Sequence, residues 1–399
     1  MKWLKWFILL SFIPLLSGCW DRTELSKTSI VTGMAVDKGE SFKYKLTIET
    51  TEAREMTPQT ASGLAPSNIA SLEGNSVAEL ASKFNIVNAT IPIYSHMRVL
   101  VISEEIAKDG MLDFMDFFDR NRQIRDDFMI VIARAGKAEE ILKVNNMYKK
   151  SASLKLFSQL TTMQKDWGGA PDIKLNDYTR IYNSEGQAPV LPAVQLIGDP
   201  KKGGNVENLK SEDPDSQVKV NSLGAFKNGK LVGYASLREV RDLLFVQDNI
   251  KNTAITANCE VGAKEGDKKF EYRVTHSSTK ITAKEVKGIP HFYIKIKTEG
   301  ILDGTTCANK LEDKSTFEKL ELSINKIMER EIQDLIIKTK EQFNADIFGF
   351  GDLLREQDYK NFKKYKDTWD DGYANAKMHI SFNSEIKRSG LRKGSFLTN

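Results

Sequence analysis

Two unbroken apolar runs limit most strictly how this chain can fold. They are residues 98–103 (Arg-Val-Leu-Val-Ile-Ser) and 128–133 (Phe-Met-Ile-Val-Ile-Ala). A strand with one wet face alternates apolar and polar side chains, whereas a strand without polar positions has to be covered on both faces. Between the two runs, residues 112–120 place Leu112, Met115 and Phe118/Asp119 one helical turn apart. Strand, helix, strand in that order predicts a βαβ unit with a mainly parallel core. At 399 residues the chain exceeds one ordinary domain. The fold class expected is α+β or mixed α/β, with two to three domains, each a β-sheet with packed helices.

The flanking segments fill in this plan. Residues 29–35 and 41–49 read as strands of a hairpin. In the second, Phe42, Tyr44, Leu46 and Ile48 alternate with Lys43, Lys45 and Thr47. Residues 51–74 are rich in Thr, Ala, Ser, Pro and Gly and read as a mobile surface loop. Ser76-x-x-Glu79 fits a capping box that starts a helix. Residues 138–165 look helical, in two pieces broken near Asn145-Asn146. Residues 199–216 hold Gly203-Gly204 and mixed charge, and read as a linker or long loop. They would separate an N-terminal unit (19–198) from a C-terminal one (217–395) that can divide into two subdomains.

In the second half, 217–226 and 231–234 flank Asn228-Gly229 as a hairpin, and 237–246 is a short helix. Residues 254–261, 270–282 and 291–300 read as strands. The longest helix spans 316–343, with Phe317, Leu320, Ile324, Ile327, Met328, Leu335 and Ile336 in one stripe. That stripe either lies on the chain's own sheet or forms a coiled-coil seam with a partner. Residues 346–357 read as a further helix and 376–386 as a closing strand.

The N-terminus carries an address. Lys2 and Lys5 precede an apolar run to Leu16, followed by Leu16-Ser17-Gly18-Cys19. A positive start, about a dozen apolar residues and small residues at the end make a secretory signal peptide over residues 1–18. The run is shorter than the roughly 20 residues a membrane span needs. Leu16, Ser17 and Gly18 before Cys19 resemble a bacterial lipobox, in which a diacylglycerol joins the Cys19 sulfur and the chain is cut just before it. The alternatives are a plain signal peptide with an incidental cysteine, or a weak membrane helix.

The charge balance excludes a nucleic-acid binder. Removing Lys2 and Lys5 from 58 basic residues leaves 56 against 54 acidic, a net of +2, and no basic stripe with interleaved aromatics stands out. Cys259 and Cys307 are the other two cysteines and can either pair or stay as two separate buried thiols. His96, His276, His291 and His379 are scattered, without metal-ligand spacing. There is no G-x-S-x-G, P-loop or H-E-x-x-H, and Gly349-Phe350-Gly351 lacks a third glycine. No catalytic, cofactor or metal residue is therefore assigned, and the protein is read as a non-enzyme. Arg120, Arg122 and Arg125, with Asp119, Asp126 and Asp127, bracket the second buried strand, as solvated ion pairs or as an interface patch.

Several stretches together resemble the Ger(x)C family, the lipoprotein C subunits of spore nutrient germinant receptors. They are Cys19-Trp20-Asp21 with Glu24-Leu25, then Tyr94-Ser95-His96-Met97-Arg98-Val99-Leu100-Val101-Ile102, Arg120-Asn121-Arg122-Gln123-Ile124-Arg125, Gly224 to Lys227 and Leu231 to Tyr234. The resemblance runs from the lipobox to about Gly390. It implies a mixed α and β fold in about three domains, and a place on the outer face of the spore inner membrane. It also implies two integral-membrane partners, the A and B subunits, and no cofactor beyond the diacylglycerol and N-acyl lipid on Cys19. Candidate partner contacts are Trp20, Asp21, Arg122 and Arg125. Two other functions compete with a receptor subunit: a lipoprotein that itself binds a small nutrient, and an envelope hydrolase.

Overall fold

A computed structural model describes Trp3 and residues 27–51, 67–145, 151–205, 207–210, 212–262, 268–307 and 313–388. The rest of the signal peptide, the lipobox, Cys19, Trp20, Asp21 and residues 52–66 of the expected loop lie outside them.

The first half builds one nine-stranded sheet. Its elements are β1 (Thr28–Asp37), β2 (Tyr44–Thr51), β3 (Ser67–Gly74), α1 (Val77–Ser82), β4 (Ile91–Ile93), β5 (Val99–Ser103), α2 (Glu104–Asp109), α3 (Leu112–Arg120), β6 (Met129–Ala133), α4 (Ala138–Lys143), α5 (Ala152–Trp167), α6 (Leu175–Tyr182), β7 (Val190–Gly198), β8 (Ser216–Lys227) and β9 (Lys230–Ser236). The order is β3-β2-β1-β5-β6-β7-β8-β9, with β4 beside the start of β1. β1, β5, β6 and β7 run parallel, as the βαβ reading requires. Both apolar runs are buried at every strand position. Leu100, Ile102, Ile130 and Ile132 meet α1, α3 and α6 on one face, while Val99, Val101, Met129 and Val131 meet α4 and α5 on the other.

Buried carboxylates pin the second helix layer. Asp37, at the end of β1, accepts from the Ala138 and Glu139 amides at 2.7 and 2.8 Å, capping α4. Glu49 on β2 accepts from the Ala152 amide at 2.9 Å, the Ser153 amide at 3.1 Å and the Ser153 hydroxyl, at the start of α5. Negative charge there meets unpaired amides and the positive end of the helix dipole. Burial nevertheless pushes the Asp37 carboxyl up to about 6 and raises that of Glu49.

Three expectations change here. Residues 67–74 are not loop but β3, which pairs with β2 from Tyr44↔Gly74 to Thr51↔Ser67. Its sequence, Ser-Asn-Ile-Ala-Ser-Leu-Glu-Gly, has little strand propensity, and pairing with a strong neighbour overrides it. Residues 199–216 are no boundary between sheets, because β7 and β8 pair antiparallel across them. β8 and β9 therefore complete the first sheet. Within α3, Leu112 is exposed while Phe114, Met115 and Phe118 are buried, so the inward face is turned from the one read off the spacing.

The second sheet follows. Its elements are α7 (Leu237–Val246), β10 (Thr253–Asn258), β11 (Lys269–Val286), β12 (Ile289–Thr305), α8 (Lys314–Lys338), α9 (Phe350–Gln357), α10 (Trp369–Asn375) and β13 (Lys377–Arg388), in the order β10-β11-β12-β13. β11 and β12 form one long hairpin whose tip, Lys287-Gly288, has φ of +53° and +77°, a turn matched to strand twist. β13 lies parallel to β12. Cys259 and Cys307 form a disulfide, Cα–Cα 5.8 Å, rather than staying as separate thiols.

α8 lies on its own sheet, burying Leu320, Ile324, Met328, Ile332, Leu335 and Ile336. It also caps the sheet edge. The β13 amides of Ile386, Ser384 and Phe382 donate to Glu321 (2.8 Å), Asn325 (2.8 Å) and Glu329 (3.3 Å). Four helical residues rise about 6 Å and two strand residues about 6.6 Å, so the spacings run in step. A strand edge open to pairing with other chains is closed this way. The cores of the two sheets merge into one apolar cluster through α7, whose Val240, Leu243, Leu244 and Phe245 are all buried.

A candidate docking end and the clamp behind it

The parallel strands set out from one end of the first sheet, and that end gathers the charged residues flagged by the sequence. The Arg98 amide donates to the Thr32 carbonyl at 2.9 Å, and the Met129 amide to the Arg98 carbonyl at 2.9 Å, so the approaches to β5 and β6 lie side by side, level with Thr32 inside β1. The turn between α3 and β6 holds Arg122 and Arg125 there. The Asn121 side chain accepts from the Gln123 amide at 2.9 Å, and Ile124 is buried as the anchor between the two arginines. Arg125 grips Asp127 through two bonds of 3.2 and 2.9 Å, and Arg98 reaches the same carboxylate at 3.4 Å. Arg120 folds back onto Asp116 in its own helix. Arg122 points outward, exposed. Arg122 and Arg125 thus sit on one anchored turn. Trp20 and Asp21 lie outside the described residues.

Behind this end, a clamp joins the two sheets. Its centre is Asp346, 3% exposed. Oδ1 accepts from the amides of Phe348 (3.1 Å) and Gly349 (3.0 Å), and Oδ2 from the Gly351 amide (3.0 Å) and the Trp369 indole (3.1 Å). These bonds curl residues 346–349 into a loop, which is why the helix expected from 346 begins only at Phe350. The Gly186 carbonyl accepts from the Gly351 amide at 3.1 Å, and the Ala188 amide donates to the Asp346 carbonyl at 2.7 Å. A Cβ on Gly351 would stand 2.5 Å from Gly186 Cα and 2.6 Å from the Trp369 ring, so two backbones meet there with no room for a side chain. Ion pairs Lys366–Glu185 (3.0 Å) and Lys227–Asp370 (2.7 Å) flank it. Burial pushes the Asp346 carboxyl up to about 7, against the four donors that favour its charge. The sequence showed Gly349-Phe350-Gly351 but not that one aspartate organises it, since all its partners but the indole are backbone groups.

Beside the clamp lies a cleft of about 580 Å³ between the units, lined by Asp177, Arg180, Asp248, Thr279, Phe348 and Phe350 among others. Two pairs of its polar groups are engaged. Asp177 faces Arg180 at 3.8 Å, and Asp248 accepts the Thr279 amide at 2.8 Å. Among the described residues no three His, Cys, Asp or Glu side chains gather as a metal site, and no helix is long and apolar enough to cross a membrane.

Comparison with known proteins agrees with the resemblance noted in the sequence. Residues 21–196 match the family described as spore germination protein N-terminal domain, and residues 221–390 the one described as spore germination B3/GerAC like, C-terminal. Spore germination protein KC of Bacillus subtilis (strain 168) is 29% identical, over 96% of this chain and 95% of that protein. Spore germination protein B3 of the same organism is 26% identical, over 95% and 96% respectively. Among solved structures, the crystal structure of the GerBC protein superposes with a TM-score of 0.55 at 21% identity, covering 88% of this chain and 96% of that one.

Proposed function

Since the chain belongs to the Ger(x)C family of spore germination proteins, we propose that it is the lipid-anchored C subunit of a spore nutrient germinant receptor, acting by binding and not by catalysis. In this reading residues 1–18 are removed, Cys19 carries diacylglycerol and N-acyl chains, and the protein stands on the outer face of the spore inner membrane. The membrane-embedded A and B subunits are its partners. The observation that supports the reading is that β1, the first described strand after Cys19, sets out from the same end of the sheet as the turn bearing Arg122 and Arg125. Eight residues lie between Cys19 and Thr28, where β1 starts, and the nine Cα–Cα steps span at most about 30 Å when extended. In this reading the tether limits how far the end bearing Arg122 and Arg125 can stand from the bilayer. Two or more acyl chains at about 0.8 kcal/mol per buried methylene anchor stably. The tether also raises the local concentration of this turn near membrane subunits.

The test is dipicolinic acid release from spores lacking the gene, challenged with single nutrients, then complemented with the wild-type gene or with Cys19→Ala. Loss of one response, restored by the wild type and poorly by Cys19→Ala, is the expected result. Unchanged responses to every nutrient would overturn the reading.

A second reading, direct binding of a small nutrient, rests on the cleft beside the clamp. Its two walls share one core and are clamped by Asp346, unlike lobes that swing closed on a ligand. Calorimetry of the mature chain with single germinants distinguishes it: a stoichiometric isotherm would favour this reading over the first.

A further inference from the structure

The near-neutral net charge conceals a strongly polarised face on the second sheet. Three strands present four outward rows there. β11 contributes Ser278, Lys280, Thr282 and Lys284, β12 contributes His291, Tyr293, Lys295 and Lys297, and β13 contributes Lys377, His379, Ser381 and Asn383. None of the twelve is acidic. All five lysines are exposed, and Lys280 stands directly opposite Lys295 in the ladder. Like charges so placed repel, and no acidic neighbour on this face relieves them. Lys284 instead lies 4.9 Å from the Tyr293 ring centre. His291 and His379 stack with Nδ1 and Nε2 3.1 Å apart, and desolvation, His379, Lys284 and Lys377 together depress the His291 pKa. Acids return only one row on, at Glu299 and Glu385, which Lys387 contacts.

The face measures roughly 20 Å by 10 Å at standard strand spacings. Its residues line none of the clefts described above, so its shape suits an extended anionic surface better than a small anion. Its position agrees. The Tyr365 hydroxyl donates to the Gly288 carbonyl at the hairpin tip at 2.6 Å, and the neighbouring Lys366 pairs with Glu185, just before β7. The tip is thereby tied to the end from which β7, β1 and β6 set out, the end the tether would hold near the bilayer.

We propose that this face, Lys280, Lys284, Lys295, Lys297 and Lys377, rests on anionic phospholipid headgroups and orients the subunit on its membrane. The proposal rests on the anchoring reading above, and the experiment separates the two. The mature lipidated chain is reconstituted with vesicles of phosphatidylcholine, or of phosphatidylcholine with phosphatidylglycerol, and lysine acetylation is followed by mass spectrometry. With about fivefold in binding per basic residue at an anionic surface, the five lysines should react several-fold more slowly on the anionic vesicles. Lys201 and Lys202, after β7 at the opposite end, should react equally on both. About 0.5 M salt should restore the rates, and Lys295→Gln/Lys297→Gln, surface changes that leave the fold alone, should weaken the protection. Equal rates on both vesicle types, or slowing only when other membrane proteins are added, would overturn the proposal. Failure to float with neutral vesicles would refute the anchor instead, and flotation with anionic vesicles alone would still support the face.

Discussion

Replacing Asp346 with alanine tests the clamp, and the predicted cost depends on pH. The substitution removes the acceptor of three donors, the Phe348 and Gly349 amides and the Trp369 indole, while the Gly351 amide keeps the Gly186 carbonyl. An unmet donor of this kind costs about 1–1.5 kcal/mol, so three cost about 4 kcal/mol when nothing offsets the loss. The carboxyl itself carries an offset. Its pKa is raised by burial from 3.8 to about 7, so its stabilising contribution is complete below pH 3.8 and is lost as pH rises through 7. At about 1.4 kcal/mol per pH unit, the wild type loses about 3 kcal/mol through this group between pH 5 and pH 8. Asp346→Ala lacks that dependence. It should therefore unfold about 2–3 kcal/mol more easily than wild type at pH 5, and at nearly the wild-type free energy at pH 8. Denaturant titrations at both pH values, followed by tryptophan fluorescence, measure the difference. A deficit below about 1 kcal/mol at pH 5, or one that grows toward pH 8, would refute the reasoning.

Other perturbations address separate regions of the molecule. Asn325→Ala leaves the Ser384 amide without its acceptor, while the hydroxyl keeps the Glu321 carbonyl, and should cost about 1–2 kcal/mol in urea denaturation, with Asn325→Asp recovering most of it. Reducing the Cys259–Cys307 bond releases a loop with sequence separation 48 and should lower stability by about 3–4 kcal/mol, read as the shift in denaturation midpoint with and without reductant. Arg122→Glu with Arg125→Glu should leave the melting temperature within about 2 °C of wild type, because both side chains are exposed. The same pair should slow nutrient-triggered dipicolinic acid release in spores, and an unaltered release rate would remove this turn from the docking end.

The sequence by itself determined the features that rest on local pattern. Unbroken apolar runs can only be strands covered on both faces, and residues 98–103 and 128–133 are so covered. The same holds for α3 and α7, whose ends match their spacing, and for the Asn228-Gly229 hairpin, where both residues take positive φ. The lipobox reading also comes from sequence alone, and it stands as a proposal. What only the tertiary structure decided are pairings between groups far apart in the chain. β3 is a strand because β2 offers it a ladder, and β8 belongs to the first sheet because β7 does the same. Cys259 and Cys307 meet because β10 and β12 end near one another, each beside β11. Asp346 is a clamp because Trp369 and a glycine backbone converge on it, and five scattered lysines become one face only when β11, β12 and β13 lie side by side. Period and propensity describe a residue's neighbours along the chain. A hydrogen bond, a disulfide or a charged face depends on neighbours in space, which register and topology choose.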